Sequence, residues 1–212
     1  MAKNRDRSTS SKGYTERIIA TRDPIPTFLI VCEGEKTEPN YFRSFPISTR
    51  PEITIVGAGC ETIAVVNKAI ELMTERAKTR AFDQVWCVFD RDPSRVNNTA
   101  QRFNAALRLA KKEDIEVAYS NECFELWYLL HFHFYDTAVP RSDYYKKLTT
   151  LLKYDYAKNS DDMYAKLEDK QPQAIKHARK LLASYDRNHQ PESDNPATTV
   201  HLLVEELNKH IR

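Results

Sequence analysis

The stretch "TFLIVCEGEKTEPNYF", residues 27–42, decides how the fold is read. Its apolar run, Phe28 to Cys32, is too short for a typical helix and rich in strand formers. It therefore predicts a buried strand, with Gly34 marking the turn that leaves it. Thr37 is placed to cap a following helix through Glu38, Tyr41 and Phe42. Glu33 then stands where the carboxyl end of a strand meets a turn, the place where open α/β sheets present ligand-binding groups. The turn holds three acids (Glu33, Glu35, Glu38) and Lys36, more polar groups than a solvated loop requires.

Working outward, "EITIVG" (52–57) predicts a second strand, and "ETIAVVNKAIELMTERAKTR" (61–80) a helix with Ile63, Val66, Ala69, Ile70 and Met73 on one face. "QVWCVFD" (84–90) is the next strand, "RFNAALRLAKKE" (102–113) a helix and "IEVAYS" (115–120) a short strand. Strands alternating with helices of this length argue for a mostly parallel sheet covered by helices. Beyond residue 121 the strand signal fades. "ECFELWYLLHFHF" (122–134) predicts a helix apolar nearly all round and therefore buried, followed by a polar helical stretch and a Pro-containing linker. "NPATTVHLLVEELNKHIR" opens on Asn195 as a candidate cap and carries Val200, Leu203, Val204 and Leu207 at helical spacing. The expected organisation is a flexible basic arm over 1–23, an α/β core over 24–120 and a mainly helical part over 121–212 packing on that core.

Composition bounds the function classes. The chain has 212 residues, of which 29% are charged and 41% hydrophobic, enough to bury a core without staples. No apolar run approaches a bilayer span and the first residues lack the apolar core of a secretory signal, so the expected address is cytoplasmic, with no membrane partner. Cys32, Cys60, Cys87 and Cys123 are widely spaced without a CxxC pair and predict buried reduced thiols, not zinc or disulfides. A net charge of +2 does not by itself indicate nucleic-acid binding. The first 22 residues differ: Lys3, Arg5, Arg7, Lys12, Arg17 and Arg22 face only Asp6 and Glu16, a composition suited to a disordered arm or to a phosphate backbone. Neither a Walker A nor a GxGxxG pattern occurs among the four glycines, which argues against a nucleotide-triphosphatase site.

A second acidic cluster ends the strand at "VFDRDP". Asp90 and Asp92 flank Arg91, so in extended backbone their side chains share a face. Two carboxylates held close repel unless a cation lies between them, and oxygen-only ligands at this density suit Mg²⁺ or Mn²⁺. If the strands that end in Glu33 and Asp90 are neighbours, all three carboxylates meet at one edge of the sheet.

"FLIVCEGEKTE" followed by "VWCVFDRDP" resembles the Toprim domains of the overcoming-lysogenization-defect type nucleases. Over a longer stretch, including "SNECFELWYLLHF" (120–132) and "NPATTVHLLVEELN" (195–208), the chain resembles the RloB-like family of Toprim-like proteins from bacterial restriction and abortive-infection loci. It departs at Glu122, where the family's run is expected to hold proline. The resemblance implies a Toprim/Rossmann-like α/β sheet and a Mg²⁺- or Mn²⁺-dependent endonuclease acting on DNA or RNA in antiphage defence, with a partner ATPase of the RloA type. It aligns Glu33 with the Toprim glutamate, as acid/base or metal ligand, and Asp90 and Asp92 with its aspartate pair. Glu35 and Glu38 can extend the site, and Lys36 and Arg91 can hold substrate phosphate. Glu125, in the predicted buried helix, is either paired locally or a further ligand or general base. His131 reads first as a packed histidine.

Two rivals differ in class. Haloacid-dehalogenase phosphatases also run an apolar strand into Asp-x-Asp, but they want it after the first strand, and here "FLIVCE" comes first. A Toprim-like adaptor that binds a partner ATPase or nucleic acid and cuts nothing would show the same scaffold; the intact trio Glu33, Asp90 and Asp92 argues against it. Topoisomerases and primases need large additional domains.

Overall fold

The structure, a computed structural model, describes residues 25–47, 51–92, 99–185 and 189–211. Five strands, β1 (Thr27–Cys32), β2 (Glu52–Gly57), β3 (Gln84–Asp90), β4 (Glu116–Asn121) and β5 (Ala197–Thr198), form one sheet in the order β2-β1-β3-β4-β5. The first four run parallel and β5 antiparallel. From β1 the chain steps outward to β2, then returns past β1 to lay down β3 on its other side. The strand order therefore reverses between β1 and β3, and α/β sheets place ligands at the carboxyl ends of strands at such a reversal.

Alternation along the central strands explains why the sheet is covered twice. Phe28, Ile30 and Cys32 of β1, with Trp86 and Val88 of β3, enter one apolar cluster. Leu29 and Val31, with Val85, Cys87 and Phe89, enter the other. Every residue of β1 is buried, so each Val, Leu, Ile or Phe there contributes roughly 1.5–3 kcal/mol of apolar burial. Helices α2 (Thr62–Ala77) and α3 (Thr99–Lys112) cover the second face through Val65, Val66, Ala69, Phe103, Ala106 and Ala110. The first face takes α1 (Thr37–Arg43) and the C-terminal helices α4 (Glu125–Leu130), α5 (Arg141–Leu152), α6 (Met163–Leu167), α7 (Gln171–Ala183) and α8 (Val200–Asn208). The α/β fold expected from the sequence, a mostly parallel sheet flanked by helices with more helices at the C-terminus, is the one observed.

Several local expectations are corrected. Thr37 does not cap α1: it is the first helical residue, and its hydroxyl donates to the Lys158 carbonyl, tying α1 to the loop before α6. The apolar segment 122–134 is helical only over Glu125–Leu130. There the last turn tightens, with Phe132 N–H on the Leu129 carbonyl, while the Leu130 carbonyl is taken by His177 Nδ1 at 2.7 Å. Asn195 does not open the last helix; residues 197–198 form β5 instead. Thr198 and Thr199 turn their hydroxyls to the Tyr119 and Val117 carbonyls of β4, at 3.0 and 3.1 Å, so α8 begins only at Val200. The cysteines are free as expected, with Cys60 only partly buried. The basic arm over 1–23 lies outside the described residues, and among those described no helix is long and apolar enough to cross a membrane.

Candidate active site

The parallel register sets Cys32 beside Val88, and Glu33 N–H extends the ladder by donating to the Val88 carbonyl at 2.8 Å. One residue past β1, Glu33 therefore sits beside the end of β3, where its Oε2 accepts the Asp90 N–H at 2.9 Å. On the other side Arg91 N–H donates to the Ser120 carbonyl at 2.7 Å, keeping the backbone extended beyond β3. Asp90 and Asp92 consequently point the same way. Their shared partner is Arg141, the first residue of α5, whose Nη2 lies 3.0 Å from Asp90 Oδ2 and Nη1 3.1 Å from Asp92 Oδ2.

Glu38 joins the cluster from α1. Its side chain is buried and its Oε2 has no hydrogen-bond partner. A Cβ on Gly34 would stand 2.2 Å from that oxygen, so glycine in the turn is what lets the carboxylate lie against the Gly34 backbone. Burial, with help from Glu125 and Glu33, pushes the Glu38 carboxyl up to about 7. Asp90 is also pushed well above the carboxylate range, by burial first and then by Glu38, with Arg141 opposing. The site concentrates more negative charge than its surroundings comfortably hold.

The remaining sequence candidates occupy distinct places. Glu125 is 1% exposed and accepts the Tyr156 hydroxyl at 3.1 Å. It lines neither cavity described below and acts on Asp90 and Glu38 through its charge. Glu35 and Lys36 are exposed in the turn, with Glu35 leaning over Gly57 and Gly59. Arg91 is held away from the aspartates, its Nε on the Glu192 carbonyl and its Nη1 on Thr99 Oγ1, both at 3.0 Å. His131 is buried, with Nδ1 2.9 Å from the Trp127 carbonyl, and burial pushes its pKa down to about 4, as suits a packed neutral histidine.

Glu33, Asp90 and Asp92 all border two openings. One, of about 380 Å³, runs toward α2 and α3 and includes Glu61, Arg91, Thr99 and Arg102. The other, of about 360 Å³, runs toward α1 and α5 and includes Glu35, Glu38, Arg141 and Lys158. The donor set is all carboxylate oxygen, the chemistry that suits Mg²⁺ or Mn²⁺. The unpartnered Glu38 oxygen and the cationic guanidinium between the aspartates both mark a place that draws positive charge. As the side chains stand, however, no group of three or more His, Cys, Asp or Glu among the described residues is arranged to hold a metal ion. The residues fit the ion in kind; Arg141 occupies one oxygen of each aspartate.

Arg141 and Lys158 escaped the sequence reading because both lie in the polar C-terminal stretch, far along the chain from the acids. One signal was present for Arg141: an arginine in the first turn opposes the helix dipole, so it needs another reason to be there. A family model described as RloB-like protein matches residues 28–207. No curated protein and no solved structure matches the chain.

Proposed function

The chain belongs to the RloB-like protein family, and from that premise we propose that it is a metal-dependent nuclease that hydrolyses nucleic-acid phosphodiester bonds in bacterial antiphage defence. The observation that carries the reading is the convergence of Glu33, Asp90 and Asp92 at the reversal of strand order, bordering both openings. Asp90 and Asp92 would hold Mg²⁺ or Mn²⁺ together with Glu33, and Glu38 is near enough to add its free oxygen. When bound, the ion neutralises charge that builds up at phosphorus and activates a water. Arg91 and Arg102 at one opening and Lys158 at the other, with Lys36 exposed in the adjoining turn, would supply the positive charge that a phosphate backbone requires. Glu125 supports the site from behind, through the charge it adds beside Asp90. The working address is the cytoplasm, and a partner ATPase of the RloA type would restrain an activity harmful to its own host.

The test is incubation of the purified chain with plasmid DNA, single strands and transfer RNA, each with Mg²⁺, Mn²⁺ or chelator. Cleavage that needs the ion and disappears in Asp90→Asn supports the proposal. Binding of nucleic acid without cleavage under every condition, with or without the partner ATPase, would instead favour a non-catalytic adaptor.

A further inference from the structure

We propose that Arg141 is the site's own exchangeable cation: its guanidinium neutralises Asp90 and Asp92 until a divalent ion takes the pair, so that the ion binds in competition with this side chain. The inference rests on the metal reading above and adds to it a built-in competitor. The contact bridges the pair, one nitrogen to each aspartate at 3.0 and 3.1 Å, two charge-assisted hydrogen bonds that together neutralise the aspartates. It takes one oxygen of each aspartate, Asp90 Oδ2 and Asp92 Oδ2, and among the described residues the acids are not arranged as ligands.

Three features fit exchange better than a fixed structural pair. The guanidinium is incompletely satisfied, since Nε is buried without an acceptor, although Nη2 directs its two N–H groups to Asp90 and, at 3.3 Å, to the Glu122 carbonyl. Its side chain keeps 26% exposure and borders the opening shared with Lys158, so it has somewhere to go. Its helix does not: Tyr144 and Leu148, one and two turns on, are fully buried, so release is a side-chain rotation that leaves α5 in place. A cation at the start of a helix also gains nothing from the dipole, leaving the aspartates as its reason for being there.

A guanidinium that merely oriented the aspartates for the ion would behave oppositely, because removing it would weaken metal binding. The full chain, freed of metal by chelator, is titrated with Mn²⁺ and the free ion is followed by electron paramagnetic resonance. Arg141→Gln should bind Mn²⁺ about tenfold more tightly than wild type, because a unit charge a few ångströms away no longer opposes the ion. Arg141→Lys, which keeps the charge but loses the planar fork that spans the two aspartates, should fall between and serves as the deciding variant if the glutamine form does not fold. Without metal, Arg141→Gln should melt lower than wild type and gain more from saturating Mn²⁺. Equal or weaker Mn²⁺ binding in both variants overturns the inference while leaving the metal reading intact. Saturable binding in none of the three proteins removes the metal reading and the inference together.

Discussion

Removal of one hydroxyl, Tyr156→Phe, probes how the protein tolerates an acid in its interior. Glu125 is 1% exposed, and the Tyr156 hydroxyl donates to its Oε1 at 3.1 Å. The substitution keeps the ring, and with it the ring contacts to Tyr145 and Tyr128 at 5.8 and 6.3 Å, so packing changes little. What is lost is a hydrogen bond to a buried charged group, a net contribution of roughly 1.5–3 kcal/mol. At about 2–4 °C per kcal/mol for a chain of this size, the melting temperature should fall by about 3–12 °C. The assay is a double-mutant cycle by urea and thermal unfolding over wild type, Tyr156→Phe, Glu125→Gln and the pair. With a neutral amide at 125, losing the hydroxyl should cost about 1 kcal/mol or less, leaving a coupling of about 0.5 kcal/mol or more. Equal costs of Tyr156→Phe in the two backgrounds would refute the pairing. Because Glu125 lines neither opening and reaches the site only through its charge, Glu125→Gln should weaken Mn²⁺ binding by no more than about tenfold; a loss of about a hundredfold or more would make it a ligand.

Asp90→Asn should abolish ion-dependent cleavage yet fold normally, since its carboxylate stands at a strand end in surroundings that disfavour its charge; wild-type cleavage rates would place the chemistry elsewhere. Gly34→Ala would set a methyl 2.2 Å from Glu38 Oε2, so it should lower stability by about 1–3 kcal/mol, and pairing it with Glu38→Ala should restore much of that in urea unfolding. His131 supplies a pH prediction. Its folded pKa lies near 4 against an ordinary 6.5, so the neutral form is favoured in the fold. Its contribution is complete above 6.5 and is lost as pH falls through 4, by at most about 3 kcal/mol. Unfolding free energies at pH 7, 6, 5 and 4 should therefore fall less steeply in His131→Asn than in wild type, with His201, also pushed down to about 4, retaining its own share; identical slopes would contradict it.

How much of this was legible in the chain depends on how local the cause is. β2 and β3 have the boundaries their apolar runs imply, Glu52–Gly57 and Gln84–Asp90, because each run is bounded by turn-forming or polar residues. The meeting of Glu33 with Asp90 follows from residue type at strand ends plus one topological condition, adjacency of β1 and β3, which the sheet meets. By contrast β5 is two residues long and is held by Thr198 and Thr199 on a strand some 80 residues earlier; nothing in "PATT" announces it. α4 is shorter than its apolar run because a segment buried on all sides carries no periodicity to say where the helix stops. Arg141 belongs to the site only through tertiary packing that brings α5 over the ends of β3.

The late arrival of β5 has a consequence for biosynthesis. The Glu192 carbonyl fixes Arg91, the Asp194 carbonyl receives the Asn121 amide at 2.7 Å, and residues 197–198 close the open flank of β4. All of these are translated long after the acidic strand ends. A ribosome that stalls before residue 190 thus leaves an unfinished product in which the acids are present but the groups that hold Arg91 and Asn121 and pair with β4 are missing. Completion of the β4 flank follows the acidic strand ends in the order of synthesis, a delay set by the order of the strands themselves.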